Sequence, residues 1–101
     1  METLSQLLNK AMEEQQIGVR SLERMIIDKY GRQKMISRSL ISDYRKGKRA
    51  PTYEGALMLA ETLGIAKRDF LVAAYKLKEK LKQKAERSRF EEFCRKHSIE
   101  I

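Results

Sequence analysis

Apolar side chains recur along this chain at spacings of three and four almost without interruption, the period of amphipathic helices. Leu4, Leu7, Leu8, Ala11 and Met12 form the first stripe. They predict a helix that starts at a cap on Thr3 or Ser5 and ends near Gln16, ahead of Gly18. A second helix is expected from around Arg20, with Leu22, Met25 and Ile26 inward, ending near Tyr30 before Gly31. Glycine just past a helix end takes the left-handed conformation at least cost. Ser37 can accept from an unpaired backbone N–H and so open a third helix. Its inward residues are Leu40 or Ile41, with Tyr44, and Gly47 ends it.

Ala50-Pro51-Thr52 introduces a fourth helix with Ala56, Leu57, Leu59, Ala60 and Leu63 inward and Gly64 at its close. A fifth begins near Lys67 with Phe70, Leu71 and Ala74 inward. No Gly or Pro follows Gly64, so nothing in the pattern stops this helix before about Arg95. No strand pattern and no internal repeat emerges, and the expected fold is all-α.

Composition narrows the function. The 101 residues include 22 Lys or Arg against 14 Asp or Glu, a formal charge of +8. That length suits one domain with a small core. No stretch approaches the roughly 20 apolar residues of a membrane span. The N-terminus lacks the charged-then-apolar layout of a signal peptide, so no membrane partner and a cytoplasmic location are expected. One cysteine, Cys94, and one histidine, His97, exclude a disulfide framework and make a metal site implausible. With no Gly-rich phosphate loop, nucleophile set or acid–base carboxylate pair, neither an enzyme nor a cofactor is expected.

The positive charge is unevenly placed. Residues 37–52 hold Arg38, Arg45, Lys46, Lys48 and Arg49 against Asp43 alone, and residues 75–101 hold nine basic and five acidic groups. Two short helices followed by a basic turn suit a helix-turn-helix, whose second helix fits a major groove about 12 Å wide.

Residues 37–65, SRSLISDYRKGKRAPTYEGALMLAETLGI, closely resemble the Cro/repressor (XRE-type) helix-turn-helix family. The matching features are Ser37, Ser39, Ile41-Ser42, Gly47-Lys48-Arg49, Pro51, Leu57, Leu59-Ala60 and Leu63-Gly64-Ile65. Upstream, Leu8, Ala11, Ile17 and Leu22 sit where that family carries core residues. The resemblance covers roughly residues 4–74. It implies a five-helix, lambda-repressor-like domain over residues 1–74, with residues 75–101 as a basic C-terminal helical extension.

It further implies that Ile36, Ile41 and Tyr44 lie beneath a recognition helix from which Arg38, Ser39, Ser42 and Asp43 reach base edges. Arg38 can donate twice to guanine and Asp43 can accept from cytosine N4, whereas the two serines specify less. Arg20, Ser37, Arg45, Lys46, Lys48 and Arg49 are the expected phosphate contacts, which add affinity and salt dependence without reading sequence.

The chain departs from the family's pattern at three places. Ile27–Ile36 inserts about eight residues between the second and third helices, where a turn of about three or four is usual. This is read as a longer second helix and a basic loop, Gly31 to Lys34, from which Arg32 and Lys34 supply extra contacts. Val19 stands where the family often has glutamine, with Arg20 as a substitute. Met12 and Arg45 replace an arginine–glutamate pair joining helices one and three, which leaves Arg45 to face the DNA backbone.

In the tail, Ala74, Leu77 and Leu81 form a narrow seam that Ala85 can extend, followed by Phe90, Phe93, Cys94, Ile99 and Ile101. Two phenylalanines are costly to leave in water, so this segment is expected to fold back or to pack against a second copy. The resemblance points to double-stranded DNA as the partner, to a homodimer on paired half-sites, and to a transcriptional repressor. The rival is an antitoxin-like interaction module whose residues 75–101 capture a protein. A third reading is nonspecific nucleic-acid binding by net charge.

Overall fold

Thr3 rather than Ser5 opens the first helix. In the computed structural model, which describes residues 2–81 and 86–100, the Thr3 hydroxyl accepts from the backbone N–H of Gln6 at 3.2 Å. The Gln6 side chain accepts in return from the Thr3 N–H at 2.9 Å. This reciprocal cap satisfies two N–H groups that the helix cannot. Helix α1 (Leu4–Glu14) buries Leu4, Leu8 and Met12. It stops just short of Gln16, which takes a positive φ of 55° as the Ile17 N–H turns back to the Met12 carbonyl at 2.8 Å.

Helix α2 (Val19–Tyr30) buries Leu22 and Ile26, while Met25 is half-buried. Gly31 follows at φ 91°, and a 3-10 turn over Arg32–Lys34 brings Ile36 back into the core. The insertion is thus an extra stretch of helix plus one tight turn.

Helix α3 (Arg38–Lys46) is capped by Ser37, whose hydroxyl accepts from the Leu40 N–H at 3.3 Å. Ile41 and Tyr44 are its buried residues, and Leu40 is only half-buried. Gly47 adopts the left-handed conformation (φ 73°), so its N–H reaches the Tyr44 carbonyl and the Lys48 N–H the Asp43 carbonyl. An L side chain at that φ would be strained.

Helix α4 (Tyr53–Leu63) is the axis of the core, with Tyr53, Ala56, Met58, Leu59, Ala60 and Leu63 all buried. Helix α5 (Lys67–Lys80) packs along it through Phe70, Leu71, Ala73 and Ala74. The residue 74–75 boundary drawn from the sequence falls inside α5 without interrupting it.

The expectation of one helix running to about Arg95 fails. Helix α5 ends at Lys80 with Leu81 as its cap, and a separate α6 spans Glu86–Lys96. The described residues therefore form six α-helices and no strand, where five helices were expected. The reason is packing. In a continuous helix Phe90 would lie roughly 22 Å along the axis from Tyr75, at about 1.5 Å per residue. Instead their rings stack with centroids 4.6 Å apart, and Phe90 also meets Tyr53 at 5.5 Å. Phe90 and Cys94 are thereby buried to 5% and 3% exposure, a gain in apolar burial that favours α6 packed against α4 and α5. Of the tail's expected apolar contacts, Ala85 and Ile101 fall outside the described residues.

Candidate nucleic-acid interface

Burial of Ile41 and Tyr44 decides which side of α3 faces out. Ser39, Ser42, Asp43 and Lys46 follow one another at helical spacing on the opposite face, with Arg38 at its edge. Ser39, Arg38 and Lys46 are exposed, and Ser42 and Asp43 half-exposed. The four base-contact candidates thus share one surface of a nine-residue helix.

Both ends of α3 are tied by side chains from other helices. At the C-terminal end the Ser5 hydroxyl lies 3.1 Å from the Tyr44 carbonyl and 2.8 Å from the Arg45 carbonyl, with one proton to share between them. Asn9 donates from Nδ2 to the Arg45 carbonyl at 3.1 Å and accepts from Arg45 Nε at 2.6 Å. Last-turn carbonyls have no partner within their own helix, so α1 supplies the missing donors. Arg45 was expected to face a DNA backbone; it is half-buried and bonded to α1 instead. The charged end is held where Asn9 can satisfy both its side chain and its carbonyl.

At the N-terminal end the clamp is Glu23 of α2. Its carboxylate accepts from the Arg38 backbone N–H at 3.2 Å and pairs with Arg38 Nε at 3.3 Å. A carboxylate there also meets the positive end of the α3 dipole. Glu23 is only 19% exposed, so the pair is better shielded than an ordinary surface ion pair. Arg38, expected as a base reader, is held in place beside α2.

The remaining cations separate into groups. Arg20 and Arg32 join Arg38 around an open concavity of about 590 Å³ between α2, the 3-10 turn and α3, whose lining also includes Glu23, Arg24, Ile27 and Asp28. Lys34, expected to act alongside Arg32, instead pairs with Glu54 of α4. That hydrogen bond, together with the Lys34 charge, holds the Glu54 carboxyl below its ordinary range. Lys46 lines a different groove with Thr3, Ser5, Gly47, Ala73 and Leu77. Arg49 reaches Asp43, Nε to Oδ2 at 3.7 Å, so the acid's partner comes from the turn. Neither Arg38 nor Lys46 makes that contact. Ser37 is the cap of α3, and Lys48 is exposed in the turn.

Sequence reasoning missed Ser5, Asn9, Glu23 and Arg24. Arg20 and Arg24 carried a signal, since like charges at i and i+4 on one face disfavour a helix unless something nearby balances them. Glu23 carried none, because its partner is fifteen residues away.

The tail forms an aromatic cluster away from these side chains. Phe93 meets Tyr53 at 5.8 Å and His97 at 4.2 Å, and the Lys78 ammonium sits 5.2 Å from the centre of the Tyr53 ring. Burial pushes the Cys94 thiol above its ordinary pKa, which disfavours the reactive thiolate. Among the described residues no group of three or more His, Cys, Asp or Glu side chains is placed to hold a metal ion. No helix among them is long and apolar enough to cross a membrane.

Compared with protein-family models, with curated proteins and with solved structures, the chain finds no match.

Proposed function

We propose that this protein is a sequence-specific double-stranded DNA-binding regulator of the Cro/repressor helix-turn-helix type, with α2 and α3 as the motif and α3 as the helix that enters the major groove. The observation carrying this reading is the outward face of α3, where Ser39, Ser42, Asp43 and Lys46 align while Ile41 and Tyr44 anchor the opposite side. Nine helical residues extend about 14 Å, enough to cross a groove about 12 Å wide. Clamping by Glu23 at one end and by Ser5 and Asn9 at the other fixes the angle at which that face is presented.

In this reading Arg38 offers guanidinium donors to guanine and Asp43, steadied by Arg49, accepts from cytosine N4. Ser39 and Ser42 contact bases or phosphates. Lys46, Lys48 and Arg49 lie at the C-terminal end of α3 and in the turn, beside the phosphates of one strand. A single α3 reads only a few base pairs, so the active species is a homodimer whose half-sites lie about 34–36 Å apart. Repression follows from occupying a promoter.

The rival reading, a tail that captures a partner protein, draws on Phe90, Phe93 and Ile99; Phe90 is buried within this chain, whereas Phe93 and Ile99 are half-buried.

The test is selection of bound duplexes from a random pool at near-physiological salt, with wild type and Arg38→Ala in parallel. The reading expects an inverted repeat from wild type that loses information at one position per half-site in the variant. No enriched motif in either pool would overturn it.

A further inference from the structure

The concavity beside α3 has a charge pattern that the reading of α3 does not use. On α2, Arg20 and Arg24 lie one turn apart on the same face, and Arg32 comes to them from the 3-10 turn. Like charges at i and i+4 destabilise a helix, and neighbouring acids are the usual remedy. Two acids are present, yet Glu23 is taken up by the Arg38 N–H and guanidinium. Asp28 shares the concavity, but no hydrogen bond or ion pair among the described residues joins it to any of the three arginines. Three arginines therefore line an open space of about 590 Å³ without a hydrogen-bond or ion-pair partner among the described residues.

We propose that this concavity is a phosphate-binding cradle formed by Arg20, Arg24 and Arg32, and that its occupant is a phosphodiester of the DNA strand flanking the segment α3 reads. The proposal rests on the DNA-binding reading for its occupant, and on the geometry alone for its chemistry. Planar guanidinium forks match phosphate oxygens in pairs, and three arginines around one space suit an anion with several oxygens to share among them. Arg38 sits at the shared edge of the cradle and the reading face, where the Glu23 carboxylate stands against it. Glu23 thus engages Arg38 where the cradle meets α3, and the three arginines without a partner are left for phosphate. The insertion between α2 and α3 acquires a role from this: it extends α2 past Arg24 and turns Arg32 back toward it.

The experiment measures duplex affinity across a salt series for wild type, for Arg24→Ala/Arg32→Ala, and for a control, Lys10→Ala/Arg68→Ala, that removes the same charge elsewhere. A parallel arm titrates the wild type with inorganic triphosphate and follows the arginine Nε–H resonances by NMR. Each phosphate contact contributes about 0.9 to the slope of log affinity against log salt, so the cradle variant is expected to lose about 1.8 and the control far less. The selected consensus should not change. Equal slope losses in the two variants, with no arginine resonance moved by triphosphate, would overturn the cradle while leaving DNA binding intact. A wild type that binds no duplex, but whose Arg20, Arg24 and Arg32 resonances shift with triphosphate, would overturn the DNA reading. The cradle would then stand as a site for a free phosphorylated ligand.

Discussion

Asn9 and Arg45 hold each other twice: the amide Oδ1 accepts from the guanidinium Nε at 2.6 Å, and the amide Nδ2 donates to the Arg45 carbonyl at 3.1 Å. The pair joins α1 to the last turn of α3, with Ser5 completing the tie. Asn9→Ala removes both bonds and leaves a half-buried guanidinium and a helix-end carbonyl without them. The expected cost is about 1–3 kcal/mol. Thermal denaturation should show a loss on the order of 4–8 °C per kcal/mol. Asn9→Asp keeps the acceptor but not the donor, and should fall between. A melting temperature unchanged in Asn9→Ala would mean that the clasp does not hold α3.

Glu23 presents the opposite case, a residue expected to matter more for selectivity than for stability. Glu23→Ala releases Arg38 from its tie to α2 and takes a negative charge out of the concavity that both residues line. Affinity for random duplex should rise while affinity for the selected site rises less. A well-made arginine–guanine contact is worth about 1–3 kcal/mol of discrimination, so the specific-to-random ratio should fall by up to a hundredfold. Competition binding against random duplex measures it, and an unchanged ratio would remove Glu23 from this role.

The docking of α6 can be read through its buried thiol. Burial pushes the Cys94 pKa up, so in the folded chain it should react slowly with a thiol reagent at pH 8. Phe90→Ala removes the ring that stacks on Tyr75 and meets Tyr53. Truncating a buried phenylalanine typically costs about 3–5 kcal/mol, enough to release a helix held mainly by that cluster. Cys94 labelling should then speed up at least tenfold, at about 1.4 kcal/mol per decade. Equal rates in the two proteins would show that α6 stays docked without Phe90.

The Lys34–Glu54 pair gives a pH signature. The folded Glu54 carboxyl lies below its ordinary pKa near 4.5, so its contribution to stability is present above that value and is lost as pH falls through the lower folded one. Both side chains are more than half exposed, so screening limits the contribution to a few tenths of a kcal/mol. Glu54→Gln should melt slightly below wild type at pH 7 and level with it near pH 3. A gap that persists at pH 3 would assign the effect to something other than charge.

Much of the fold is local and could therefore be read from the sequence. Thr3, Ser37 and Thr52 cap helices because a side-chain oxygen next to a periodic apolar run has an N–H two or three residues away to accept from. Gly47 and Gly64 end helices because their left-handed φ is cheapest without a Cβ. Ile36, Ile41 and Tyr44 are buried as expected, and α2 ends at Tyr30. Each of these depends on neighbours within a turn or two, where residue type and spacing carry the physics.

What only the tertiary structure decided lies in contacts between residues far apart in the chain. Nothing near Lys80 stops a helix; α5 ends there because Phe90 gains more against Tyr53 and Tyr75 than a straight helix would allow. Arg38, Arg45, Lys34 and Arg32 read alike as exposed cations, yet three of them are assigned by partners fifteen to thirty-six residues away and the fourth by a concavity. A charge is set by whatever lies within a few ångströms of it, and sequence spacing specifies that only inside a single helix. The sequence by itself determined the first four helices and the side of α3 that faces out; the tertiary structure decided where α5 ends and which cations are tied to partners from other helices.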